Sequence, residues 1–114
     1  MSWSHVQQGG AQNTTGGGTA TTISATFSGA VTAGDLIVVG VANALAGSIT
    51  VADNKNSGNY TQVPGTTGSN AEACIFYLVA TIGGAAGTFT VTATSASGGY
   101  PSISIDEFSF TGGG

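Results

Sequence analysis

The chain has 114 residues, of which 40% are hydrophobic and only 5% charged, with 20 glycines, a single basic residue (Lys55) and a formal net charge of −4. Proteins that track DNA or RNA neutralise several phosphates with Lys or Arg, and proteins that cling to anionic lipid need a basic cluster, so this composition excludes both classes. Ordinary hydrophobicity with so little charge is the reverse of the disorder signature, and the length suits one domain, 1–114, around one core.

The first residues lack the basic start and apolar stretch of a signal peptide, and no apolar run approaches the ~20 residues that cross a bilayer as a helix. Residues 2–8 are expected to form an edge strand. Residues 9–18 are so rich in Gly, Gln, Asn and Thr that they read as a loop, flexible or ordered by a partner. From 19 to 27 the pattern alternates, with Thr21, Ile23, Ala25 and Phe27 on one face and Thr22, Ser24 and Thr26 on the other, which gives a strand with one face on the core. After a turn at 32–34, the run DLIVVGVANAL (35–45) is apolar on both faces, the mark of a central strand covered from two sides. Gly40 within it predicts a bulge or a close backbone approach.

Residues 48–52 and 60–63 flank a dense cluster of turn formers, 53–59, and are expected to pair as a hairpin. The second doubly apolar run, AEACIFYLVAT (71–81), is long enough for a helix, but its β-branched and aromatic content and the following Gly83-Gly84 favour a strand. Residues 87–93 alternate Phe89, Val91 and Ala93 with Thr88, Thr90 and Thr92, predicting a threonine face toward solvent or an interface. Over 102–111 the phase changes: Ile103 and Ile105 share one face, whereas Phe108 and Phe110 fall on the other. A bulge near Asp106 and Glu107 would return both pairs to the core. Together these segments predict an all-β fold, an antiparallel two-sheet sandwich of jelly-roll type with about eight strands, followed by a second flexible or partner-ordered segment at 112–114.

Residues able to do chemistry are scarce. His5 is the only histidine, it stands on a predicted edge strand, and no G-x-S-x-G elbow accompanies it, so it reads as an exposed or hydrogen-bonded strand residue. Adjacent carboxylates such as Asp106 and Glu107 point to opposite faces of a regular strand, so they read as a solvated bulge or as acceptors for loop amides. Asp35 reads as a turn residue, Glu72 as a rim charge and Cys74 as a small buried hydrophobe. The stretch 53–59 fails the EF-hand spacing, with Lys55 third, Ser57 fifth and Pro64 twelfth, which leaves a plain turn or a structural calcium of some other geometry. One His and one Cys far apart make no transition-metal site. Asn13-Thr14-Thr15 and Asn59-Tyr60-Thr61 match the N-glycosylation pattern, as chance allows in a chain so rich in Asn and Thr. The expectation is a non-enzyme with no cofactor and with no catalytic or metal-ligating residue assigned.

The segments VTAGDLIVVGVA (31–42), ITVADNKNSGNYTQV (49–63), IFYLVATIGGAAGTFTVTATSA (75–96) and ISIDEFS (103–109) follow one another in an order that resembles a β-sandwich module of bacteriophage virion proteins and of bacterial surface and secreted proteins. That resemblance implies a structural role on a capsid or tail lattice, with partners that are copies of itself or other virion proteins, and a place on the virion surface or outside the cell. The alternatives are a carbohydrate-binding module, with Trp3, Tyr60 and Tyr100 as stacking platforms, and an adhesin or spacer domain. The leaderless start fits either a phage structural protein made in the cytoplasm or a domain cut from a longer secreted protein.

Overall fold

A computed structural model of the protein describes residues 2–12, 20–42, 49–63, 73–99 and 102–111, and the structural statements below concern these residues. They contain eight strands and no helix: β1 (Ser2–Gln12), β2 (Ala20–Thr26), β3 (Leu36–Ala42), β4 (Ile49–Asp53), β5 (Thr61–Gln62), β6 (Ala73–Val79), β7 (Thr90–Gly99) and β8 (Ser102–Thr111). All pairings are antiparallel, in a five-stranded sheet of order β1-β8-β3-β6-β5 and a three-stranded sheet of order β2-β7-β4. The pairing is nested, with β1 on β8, β2 on β7 and β3 on β6, as when a long hairpin is rolled into a jelly roll.

The inner faces of the two sheets share one core. Phe27 and Ala25, Val51, and Val91 and Ala93 come from the three-stranded side; Ile37, Val39, Val41, Phe76, Ile103 and Ile105 come from the five-stranded side. Each inner set follows the period-2 alternation visible in the sequence, because successive side chains of a strand point to opposite faces. Phe27 and Phe89 meet with ring centroids 5.9 Å apart near one end of this core.

Four expectations are corrected. Residues 9–12 are not loop but the end of β1, where Gly9 to Gln12 pair with Ile105 to Ser102. The strands flanking the 53–59 turn do not pair as a hairpin: β4 joins β7 and β5 joins β6, so the chain crosses from one sheet to the other. The crossing is fixed by Asp53, whose carboxylate accepts the Lys55 and Asn56 amides at 2.7 and 2.6 Å and the Tyr60 hydroxyl at 2.7 Å, and by the buried Tyr60 ring. A single backbone bond, Tyr60 N–H to the Val51 carbonyl (2.7 Å), survives between the two arms.

The third correction concerns the bulge. It lies on β1, between His5 and Gln7, and not on β8, whose register against β3 is unbroken from Ser102 to Phe108. Ile103, Ile105 and Glu107 therefore all point inward, and Phe108 and Phe110 lie on the opposite, outer face. The fourth is the cover of β3 and β6. Their inner sides are buried, but Ile75, Tyr77 and Val79 are exposed and Leu36 and Val38 half-buried on the outer side, where no other described residues cover the sheet. Gly40 forms no bulge; it gives a close approach, since a Cβ there would lie 2.9 Å from the Ser104 hydroxyl.

Candidate interaction face

The two outer faces differ in chemistry. On the three-stranded sheet, Ser24 bonds Thr92 and Thr26 bonds Thr90 through their hydroxyls at 2.7 and 2.8 Å, a polar ladder of cross-strand pairs. On the five-stranded sheet, the register lays out successive rows. Trp3 lies opposite Phe110; His5, Phe108, Leu36 and Val79 form the next row; Gln8, Asp106, Val38, Tyr77 and Thr61 the next; Gly10, Ser104, Gly40 and Ile75 the last before the strand ends. Trp3 is 50% exposed and tilts against Phe110 at a centroid distance of 4.7 Å. His5 meets the Phe108 ring edge-on at 5.3 Å and bonds Asp106 through Nε2 at 2.9 Å. One end of the face therefore stands proud with aromatic rings.

The other end is hollow. Gly10, Gly40, Ala42, Ser102 and Ser104 present little or no side chain, leaving a shallow trough of about 600 Å³ whose rim includes Ile75. Its lining combines these outward positions of the five-stranded sheet with the inward-facing Ala11, Val41, Cys74 and Ile103 of the same strands.

The acids of the described residues are largely withdrawn from this surface. Glu107 is fully buried: one carboxylate oxygen accepts the Gln7 side-chain amide at 2.7 Å, and the other accepts the Thr32 N–H at 3.1 Å. Gln7 reaches it because the bulge at Val6 turns Gln7 inward, and it also accepts the Gly29 N–H and donates to the Ala30 carbonyl. Asp35, buried at the start of β3 after the left-handed Gly34 (φ 97°), hydrogen-bonds Glu107. Burial first, then the bond and charge of Glu107, push Asp35 up to about 6. Asp53 is consumed by its turn, and its partner Tyr60 is held protonated by burial and by the carboxylate it bonds. Asp106, bonded to His5, is the one carboxylate on the sheet face among the described residues.

Of the three aromatic residues singled out as platforms, Trp3 is on this face and half exposed. Tyr60 is corrected: it is a core residue whose hydroxyl is taken by Asp53, and it offers no surface to a ligand. Tyr100 lies outside the described residues, as do Glu72, the 112–114 segment and residues 13–18. His5 is an exposed, hydrogen-bonded strand residue, and no three His, Cys, Asp or Glu side chains gather among the described residues. Asn54 and Asn56 act as backbone mimics that tie the turn to Thr88–Thr90 and to Thr81–Ile82. What sequence reasoning missed was Tyr77, Val79, Phe108 and Phe110 as one surface; the signal for it was the doubly apolar character of two strands that turn out to be neighbours.

No family model matches the chain, and neither a curated protein nor a solved structure matches it.

Proposed function

We propose that this chain is a non-catalytic structural protein whose five-stranded sheet is covered by another protein surface in an assembled state, as a bacteriophage virion decoration or other component on a capsid or tail lattice. The observation that carries the reading is the outer face from Trp3 to Ile75: aromatic at one end, exposing Trp3, Ile75, Tyr77 and Val79 among Gln8, Thr61 and Ser104, and bearing one His–Asp pair as its charged element among the described residues. Large exposed apolar surfaces on soluble domains mark protein contacts, and the jelly-roll arrangement is one that capsid proteins use. The scarcity of charge over the whole chain agrees with a protein packed among neighbours, on the virion surface or outside a cell. Among the described residues of the face no nucleophile stands with a base beside it, which supports a contact role.

The test is pelleting of the purified protein with capsids and with tails isolated from the source lysate. Saturable co-pelleting, lost in Trp3→Ser and Phe108→Ser variants that keep the wild-type circular dichroism, is the expected result. If the wild type stays in the supernatant with both kinds of particle, the reading is wrong.

A second reading is favoured by one observation: Trp3 and Tyr77 are both exposed on one face of the five-stranded sheet, where their rings are open to stacking on sugars. Retention on cellulose or chitin, abolished by Trp3→Ala, would support a carbohydrate-binding module over the virion role.

A further inference from the structure

We infer that the occupant of the five-stranded sheet's outer face is a second copy of the same chain, packed sheet against sheet about a two-fold axis that lies between the faces and runs across the strands. This rests on the reading of that face as a protein-docking surface and adds its partner.

Size comes first. Five strands at ~4.8 Å spacing, the longer ones seven to eleven residues at ~3.3 Å each, make a plane on the order of 600 Å² before side-chain relief is counted. Stable interfaces bury ~800 Å² per partner, so the whole face is about one interface and no more. Charge comes second. A chain with a net charge of −4 would ordinarily resist its own copy, but of the four acids among the described residues Asp35 and Glu107 are buried beneath the sheet, Asp53 is bonded within its turn, and Asp106 is bonded to His5. The face therefore meets its copy without a row of uncompensated like charges.

Shape decides the axis. Phe110 and Trp3 form the raised end, and Gly40 and Ser104 floor the hollow end; Phe110 and Ser104 lie six residues apart on the same strand, ~20 Å. A two-fold axis across the strands, passing midway between them, exchanges the ends, so that the rings of each copy enter the trough of the other. An axis parallel to the strands would set aromatic end against aromatic end and leave both troughs empty. The first arrangement is isologous and closed, with the same patch used by both partners.

Sedimentation velocity from about 1 to about 100 μM, the weaker part of the affinity range for interfaces of this size, should show a monomer–dimer equilibrium. Ser104→Phe fills the trough from an exposed strand position, and Trp3→Ser removes a ring; each should weaken the dimer roughly 30-fold or more while the melting curve shows that the fold persists. The axis is tested by mild oxidation of mixed Phe110→Cys and Ser104→Cys proteins. Cross-linked heterodimers are expected, and a Phe110→Cys protein that links only to itself would overturn the proposed packing. A wild type that stays monomeric throughout, or a dimer indifferent to both face variants, would overturn self-pairing. The two readings separate cleanly: a monomer that still co-pellets with particles through the same residues leaves the structural role standing, and one that neither pairs nor pellets removes both.

Discussion

Glu107 has no exposed surface and faces no cation among the described residues; its partners are an amide side chain, a backbone N–H and a second acid, Asp35. Burial, and then the bond and charge of Glu107 beside it, disfavour the ionised form of Asp35. Because Asp35 is raised from 3.8 to about 6, the native state keeps a proton that the unfolded chain releases across that interval. The stabilisation linked to this group is complete below pH 3.8 and is lost as the pH rises through about 6. Thermal melts from pH 4 to pH 7 should therefore show the wild type losing stability relative to Asp35→Asn, which removes the titrating carboxyl but keeps a polar group in place. Parallel curves for the two proteins would rule out the raised Asp35 carboxyl. The residues themselves showed this only in part: Asp35 looked like a turn acid, and Glu107 read as a solvated bulge residue or as an acceptor for loop amides, of which the second holds for the Thr32 N–H while its full burial was not foreseen. Their burial depends on Gln7, a hundred positions away from Glu107, being turned inward by one extra residue in its strand.

At the scale of elements, that extra residue is Val6. His5 pairs with Phe108 and Gln7 with Glu107, so Val6 alone has no opposite number, and its side chain is 48% exposed. Deleting Val6 should leave a regular β1 in which Trp3 still meets Phe110 and Gln7 still meets Glu107, with stability changed by no more than about 1 kcal/mol. Deleting Ser4, which has an ordinary partner in Ser109, should instead turn Trp3 inward and cost far more, roughly 3 kcal/mol or beyond. Urea unfolding of the two deletions checks the pair. Alternation made β2, β7 and the inner set of β8 readable, because period 2 is imposed by the backbone. The phase change at Asp106 and Glu107 was also visible, but it was assigned to a bulge on the wrong strand. A sequence shows that two hydrophobic pairs disagree in phase; it does not show that one pair belongs outside. The supposed hairpin around 53–59 misled for a related reason, since turn chemistry is local whereas the choice of sheet is made by where Tyr60 finds burial.

For the whole molecule, two doubly apolar strands announced that both sides of a sheet would be dry, and the described residues cover only one of them. The eight-strand, two-sheet architecture was therefore readable, and the position of the exposed apolar side chains was implicit in it. If a second copy covers the other side, association should be governed by apolar area. Raising sodium chloride from about 0.05 to about 0.5 M should alter the dimer dissociation constant less than roughly 3-fold, because the described residues put one His–Asp pair on the face for salt to screen. Sulfate at the same ionic strength should tighten it, and sedimentation equilibrium in the two salts distinguishes the cases.

The Ser24–Thr92 and Thr26–Thr90 ladder then acquires a meaning of its own. If the apolar sides are joined in a pair, the hydroxyl-bearing three-stranded sheets face outward and offer a third copy no second apolar sheet to pack on. Pairing of that kind would stop at two, and a protein with so little charge to keep it dispersed would then owe its escape from clumping to the unequal finish of its two skins.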